Sequence, residues 1–247
     1  MSTKYKKKVY RWLNSVQFAL LPGTCVVCKK PTYRQADLCH TCEVQMPLLV
    51  DPCRSCGLPL PPGYTGKYCG NCMAYTPPWS LFSAPFRYSP PISALVPAFK
   101  YQGRLVTGRV LAQCLVRHLQ EDYRNRQWPS LIIPAPLHRS RIRERGFNQA
   151  LEISRWLSNA LGLPLDRHSV IRKRPTDKQT GLSASARKLN LKGAFEVISD
   201  AKFNPGVSVA LVDDVVTTGV TITELAKVLR KAGIEDIHVW ALARTVL

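Results

Sequence analysis

Val209-Ala210-Leu211-Val212-Asp213-Asp214-Val215-Val216-Thr217-Thr218-Gly219-Val220-Thr221 is the stretch on which the fold turns. Its four leading apolar residues fit a strand buried on both faces, as in a parallel sheet covered by helices. The strand delivers two adjacent carboxylates to the sheet edge, and a Thr/Gly turn leads directly into a helix over residues 221–232, with Gly233 at its end. Backbone N–H groups in such a turn, backed by the helix N-terminus, cradle a phosphate dianion, and threonine hydroxyls add donors. Two carboxylates beside that cradle suit a vicinal diol, whose hydroxyls they accept while a phosphate on the same sugar sits in the turn. An ordinary strand-turn-helix with a capping threonine explains neither the aspartate pair nor both flanking threonines.

Working outward, residues 131–133 form a short apolar strand ending at Pro134-Ala135-Pro136, and residues 148–161 have helical periodicity up to Gly162 and Pro164. Residues 168–172, 194–198, 207–212 and 236–243 read as the second to fifth strands. Strands alternating with helices predict an α/β parallel sheet with its ligand at the carboxyl ends of the strands. Upstream, residues 81–88 read as one or two short strands, and residues 92–100 and 105–121 as helices. Ile92, Leu95, Val96 and Phe99 line one face of the first helix. Lys100 and Arg104 fall near the junction, where a solvated face and a ligand phosphate are both open to them.

Eight of the nine cysteines lie in four pairs, Cys25-x2-Cys28, Cys39-x2-Cys42, Cys53-x2-Cys56 and Cys69-x2-Cys72. Two residues between sulfurs let one knuckle present both thiolates to a single ion, and two knuckles complete a tetrahedral shell around Zn(II). The expectation is a double zinc ribbon with two structural ions. Sequential pairing is the simplest assignment, and the interleaved one, Cys25/Cys28 with Cys53/Cys56 and Cys39/Cys42 with Cys69/Cys72, stays open on spacing alone. Disulfides need an oxidising compartment that nothing in the sequence supports, and four CxxC pairs among Gly and Pro do not resemble a thioredoxin-like redox site. His40 is redundant as a ligand, and Cys114, inside an apolar run, reads as core.

The chain has 247 residues, 45% hydrophobic and 21% charged, so it can bury a substantial core and is not a disordered sequence. Its net charge of +19 points to anionic partners. Residues 1–80 carry 10 basic and 3 acidic side chains, 81–129 carry 7 and 2, 130–192 carry 13 and 4, and 193–247 carry 5 and 7. The excess therefore stops before the last quarter. Eight thiolates and two Zn(II) ions lower the total to about +15 and leave the excess mainly in residues 81–192. The apolar stretch ending Phe18-Ala19-Leu20-Leu21 is interrupted by Asn14, Ser15 and Gln17, and falls short of the roughly 20 residues a transmembrane helix needs. The reading is a cytoplasmic protein opening on a basic amphipathic segment, residues 1–24, which packs on the chain's own body or meets the inner membrane peripherally or nucleic acid. The double ribbon spans residues 25–78, and an α/β domain spans 79–247, divided into a helical hood (79–129) and a core (130–247).

The stretch 209–221 resembles the signature by which type I phosphoribosyltransferases bind phosphoribosyl pyrophosphate (PRPP). That resemblance implies that Asp213 and Asp214 hold the ribose 2′ and 3′ hydroxyls, and that Thr217, Thr218, Gly219, Val220 and Thr221 hold the 5′-phosphate. It assigns pyrophosphate, accompanied by Mg2+, to the loop Ala135-Pro136-Leu137-His138-Arg139. It also implies a closing loop over residues 172–190, rich in cations that include Arg172, Lys173, Arg174, Lys178, Arg187 and Lys188. Together with the cysteine pairs, Phe99-Lys100-Tyr101-Gln102-Gly103-Arg104, Arg145-Gly146-Phe147-Asn148-Gln149-Ala150 and Gln179-x2-Leu182 with Arg187-x2-Asn190 resemble the competence protein F (ComF/GntX) family. This second resemblance implies a part in natural transformation or DNA utilisation, with DNA-transport machinery at the inner membrane face as a partner.

Two functions are compatible with these residues. As an enzyme, the protein would transfer the phosphoribosyl group from Mg-PRPP to an acceptor, with metal and cations stabilising the leaving pyrophosphate. No residue identifies itself as a general base, and the hood names no acceptor. As a non-catalytic protein, it would handle single-stranded DNA, using the PRPP-type site to sense or hold a phosphorylated nucleotide. Tyr64, Tyr68, Tyr75 and Trp79 would then serve as stacking surfaces, against the alternative that they are core.

Overall fold

A computed structural model of the chain describes residues 22–34, 36–175 and 191–246. Most of the amphipathic segment, together with Lys178 and Arg187, lies outside the described residues. The first ribbon pairs β1 (Gly23–Thr24) antiparallel with β2 (Pro31–Thr32) and ends on α1 (His40–Val44). The second ends on α2 (Gly70–Ala74), so Cys42 and Cys72 both ride on short helical turns.

The central sheet is parallel and starts in the segment that reads from sequence as one or two short strands. β3 (Leu81–Ser83) and β4 (Phe86–Arg87) are followed by α3 (Ile92–Gln102), α4 (Leu105–Asp122) and β5 (Leu131–Pro134). Next come α5 (Arg139–Arg145), α6 (Gln149–Leu161), the short strands β6 (Val170–Arg172) and β7 (Phe195–Val197), then β8 (Ser208–Val216), α7 (Val220–Lys231) and β9 (Asp236–Arg244). The sheet runs β3, β9, β8, β5, and β4 also pairs with β9. Strand β8 is thus central, with β5 on one side and β9 on the other, both parallel to it.

Alternation along β8 explains its apolar run. Ala210 and Val212 face one core, built with Ile153 and Leu157 of α6 and Leu111 and Leu115 of α4. Val209 and Leu211 face the other, built with Ile222, Leu225 and Leu229 of α7. Both faces are covered from Val209 to Val212, so these positions are apolar, and the first carboxylate comes at Asp213, just past the end of β5 at Pro134.

Residues 168–172 and 194–198 read as second and third strands of the parallel sheet, and here the structure differs. β6 and β7 instead form a separate antiparallel pair, with Val170 opposite Val197 and Arg172 opposite Phe195. Their alternation of buried and exposed residues, Val170 in and Ile171 out, already departs from the continuous burial of β8. Such a two-stranded ribbon covers one face only, and Val170, Leu191, Ala194 and Phe195 pack it onto the core that holds α7.

Candidate functional site

The sulfurs of Cys25, Cys28, Cys39 and Cys42 lie within 4.8 Å of one another, as do those of Cys53, Cys56, Cys69 and Cys72. Cys28 and Cys39 are 3.8 Å apart and Cys56 and Cys69 3.7 Å. Zn–S bonds of about 2.3 Å in a tetrahedron place sulfurs about 3.8 Å apart, so both clusters fit one structural zinc ion each. Pairing is sequential and the interleaved alternative does not occur. Burial opposes ionisation of Cys25, but backbone N–H groups of Cys39, Cys28 and Val27 outweigh it and bring the thiol down to about 6. Cys42 is instead pushed up to about 12 by burial and by its neighbouring sulfurs, as expected where several thiols crowd one site and only a cation relieves their mutual repulsion. His40 is exposed beside a complete set of four sulfurs, and Cys114 is buried in the α4 core.

A second site opens at the carboxyl ends of β5 and β8 as a cavity of about 620 Å³. Asp213, Asp214 and all of Thr217 to Thr221 line it, as do Pro136 and Leu137. Each aspartate is oriented by the next peptide: Asp213 Oδ1 accepts from Asp214 N and Asp214 Oδ1 from Val215 N, both at 2.8 Å. Gly219 has φ +77 at the cap of α7, a left-handed conformation that disfavours side chains. It lets the chain turn from the end of β8 into the helix so that the helix N-terminus faces the cavity.

Lys100 Nζ reaches from the last turn of α3 to 2.7 Å from Asp214 Oδ2. Burial works against its charge, but Asp214 and then Asp213 overcome it and hold the ammonium above its usual range. Asp213 is pushed up to about 7, first by burial and then by the charge of Asp214, while Lys100 and Arg172 pull the other way.

His138 and Arg139 do not line the cavity. His138 caps α5, its Nδ1 accepting from Ser140 N at 3.2 Å, and Arg139 starts that helix exposed. The cavity instead receives Arg141 and Arg145 from α5 and Arg172 from the end of β6. The run Arg139-Ser-Arg-Ile-Arg-Glu-Arg145 contains a single apolar residue, so its helical character is invisible to hydrophobic periodicity; the i, i+4 spacing of Arg141 and Arg145 is the signal that places both on one face. Arg145 lies over the Tyr101 ring, 5.0 Å from its centroid, and donates to Gln149 Oε1 at 3.3 Å. Lys173 pairs with Glu196 and Arg174 donates to the Lys192 carbonyl, both away from the cavity. Arg104, the neighbour of Lys100 in sequence, is exposed and also outside it.

The run Arg145 to Ala150 is a bracket for this site. Phe147 packs on Phe99 with ring centroids 5.3 Å apart. Asn148 caps α6 by accepting from Ala150 N and donates to the Ala135 carbonyl at 3.1 Å. Buried Gln149 donates to the Lys100 carbonyl at 3.2 Å. Three successive side chains thus tie α6 to α3 and to the loop after β5, bracing two segments whose residues Lys100 and Pro136 both line the cavity.

The fold and its two sites define a parallel α/β protein with a cavity lined by an aspartate pair and a Thr/Gly turn, and with an N-terminal double zinc ribbon. Residues 16–73 match the double zinc ribbon domain family. Competence protein F of Haemophilus influenzae is 39% identical over 89% of this chain and 96% of its own length. The DNA utilization protein YhgH of Escherichia coli K12 is 34% identical over 92% and 99%. The chain belongs to the competence protein F family. The competence protein ComFC of Bacillus subtilis is 35% identical over 42% of this chain and 39% of its own. Among solved structures, adenine phosphoribosyltransferase from Saccharomyces cerevisiae matches with TM-score 0.39 and 18% identity, covering 60% of this chain and 74% of that one. Purine phosphoribosyltransferase from Pyrococcus horikoshii matches with TM-score 0.35 and 21% identity, covering 54% and 73%.

Proposed function

We propose that the cavity binds the ribose 5-phosphate portion of Mg-PRPP or of a closely related phosphorylated ribose, in a protein that serves DNA uptake or utilisation. The observation that carries the reading is the convergence, at one end of β8, of Asp213, Asp214 and the turn Thr217 to Thr221 in a single cavity that also receives Lys100, Arg141, Arg145 and Arg172. Neutral hydrogen bonding alone would not call for that combination. Carboxylates accept from ribose hydroxyls, the turn takes the 5′-phosphate, and the arginines face the more highly charged pyrophosphate end. The relatives' names, competence protein F and DNA utilization protein, supply the physiological setting.

If transfer occurs, the bond from ribose C1 to the pyrophosphate oxygen breaks, a bond from C1 to the acceptor forms, and the acceptor's proton leaves to solvent or a cavity base. Arg141 and Arg145 would stabilise negative charge growing on the leaving oxygens, and Asp213 with Asp214 would hold the ribose in place. Mg2+ enters with PRPP as part of the substrate and screens its pyrophosphate charge. A screen of PRPP-dependent pyrophosphate release over free bases and oligonucleotides tests this step. Release that depends on one acceptor class supports transfer, and PRPP binding without release under every acceptor supports the holding role.

The non-catalytic reading has its own observation. Tyr64, Tyr68 and Tyr75 are 43%, 43% and 77% exposed on the second ribbon, which suits stacking on single-stranded DNA. Trp79 does not join them: it is buried, with Nε1 donating to the Ser55 carbonyl. In this reading the ribbon meets DNA while the cavity holds a phosphorylated nucleotide. Contact with transport machinery at the inner membrane face would be peripheral and made from the cytoplasmic side. Among the described residues no helix is long and apolar enough to cross a membrane.

A further inference from the structure

Three consecutive carbonyls of the Cys53 to Cys56 knuckle are hydrogen-bonded by the α/β domain. Phe82 N donates to the Arg54 carbonyl at 2.7 Å, Trp79 Nε1 to Ser55 at 2.5 Å, and Arg244 Nε to Cys56 at 2.7 Å. Gly57 follows with φ +71, and a Cβ there would come within 2.2 Å of the Phe82 ring. This third knuckle is therefore seated against β3 and the end of β9, with no room for a side chain at Gly57.

Arg244, the last residue of β9, is 6% exposed, and its guanidinium does more than hold the knuckle. Nη1 donates to the carbonyls of Val216 at 3.0 Å and Thr245 at 2.8 Å, and also to that of Thr217. Val216 ends β8 and Thr217 opens the phosphate turn. In a trans peptide the carbonyl and the following N–H point in opposite directions. With these two carbonyls drawn onto Arg244, the N–H groups of Thr217 and Thr218 point away from it, and both residues line the cavity. One planar cation thus sits between a zinc knuckle and the backbone that forms the anion cradle.

We propose that Arg244 is a positioning residue for the phosphate turn, and that through it the Cys53 to Cys56 zinc knuckle sets the affinity of the turn for a sugar 5-phosphate. This rests on the reading of the cavity as a sugar-phosphate site. Order in residues 53–57 should strengthen 5-phosphate binding, and by reciprocity a bound 5-phosphate should tighten the knuckle.

The test titrates ribose 5-phosphate and, separately, Mg-pyrophosphate into the zinc-loaded full chain, as wild type, Arg244→Met and Arg244→Lys, with zinc content measured for each. Arg244→Met should weaken ribose 5-phosphate by about tenfold or more while leaving Mg-pyrophosphate affinity and zinc content close to wild type. Arg244→Lys, which keeps the charge but not the fork, should recover part of the loss. Unchanged ribose 5-phosphate affinity in Arg244→Met overturns the proposal, and so does an equal loss of both ligands, which marks a general structural role. Wild type that binds neither ligand overturns the cavity reading itself and the role of Arg244 with it. Because a buried arginine variant can fail to fold, hydrogen exchange on the wild type supplies a second measurement. Ribose 5-phosphate should slow exchange both at residues 216–219 and at residues 53–57, and protection confined to the turn overturns the coupling.

Discussion

Lys100 Nζ lies 2.7 Å from Asp214 Oδ2, and the Asp214 side chain is only 8% exposed. This ion pair joins the last turn of α3 to the acidic end of β8 in the wall of the cavity, and sets one cation against one member of the acidic pair. Removing one partner of such a pair strands the other charge in a poorly solvated place. Lys100→Met should therefore lower unfolding stability by about 2–3 kcal/mol, measured by urea denaturation at neutral pH. Adding Asp214→Asn to Lys100→Met should restore part of that loss, because no buried charge is then left unpaired. Additive losses in the double variant would contradict the pairing.

Asp213 gives the site a pH dependence whose sign follows from its raised pKa of about 7. The folded protein holds a proton there that the unfolded chain, near the ordinary carboxylate value of 3.8, has released. Stability from this group is therefore present at low pH and is lost progressively as pH rises from about 4 to about 7. Asp213→Asn should raise the melting temperature at pH 8 by a few degrees, with a smaller gain at pH 5. Ligand binding runs the other way. If ribose hydroxyls donate to the carboxylate, wild-type affinity for Mg-PRPP should rise from pH 6 to pH 8, with a proton released near pH 7, read by calorimetry in two buffers of different ionisation heat. Proton uptake on binding would contradict that role.

Much of this arrangement is legible in the sequence, and for physical reasons. A run buried on both faces, Val209 to Val212, has no alternative to a covered parallel sheet, and the aspartates and turn that follow are contiguous in the chain. Zinc knuckles are legible because each pair of ligands is local, although their sequential pairing needed three dimensions. What escaped the sequence is non-local or polar throughout. Lys100 acts through a partner more than a hundred residues away, α5 has too few apolar residues to show a period, and the β6–β7 pair differs from a sheet strand only in having one wet face. Arg244 carried a usable signal: it is a lone charge closing the otherwise buried Trp240-Ala241-Leu242-Ala243.

The two four-cysteine clusters should bind two zinc ions per chain, counted by metal analysis of the protein purified without added metal. Since the knuckles have little apolar core of their own, their fold depends on the ions. A strong chelator should release both and expose the ribbon to proteolysis between residues 25 and 72 while β5, β8 and β9 stay protected. A count of one, or chelation without change in proteolysis, would contradict this.

Single-stranded DNA binding through the second ribbon should combine stacking and phosphate contacts. Tyr64→Ala, Tyr68→Ala and Tyr75→Ala should each weaken binding of an oligonucleotide by about 1–3 kcal/mol if a base stacks there, measured by fluorescence anisotropy. Affinity should also fall steeply as salt is raised, since the chain's positive excess would release counterions from the strand. Binding that ignores both salt and the tyrosines would remove the ribbon from the account.

The central claim is that the end of β8 holds a phosphorylated ribose, and calorimetric titration of Mg-PRPP into wild type and into Asp213→Ala/Asp214→Ala tests it most directly. Saturable one-to-one binding by wild type, abolished in a double variant that still folds and keeps two zinc ions, is the predicted result. Equal binding by both proteins, or none by wild type, would contradict it.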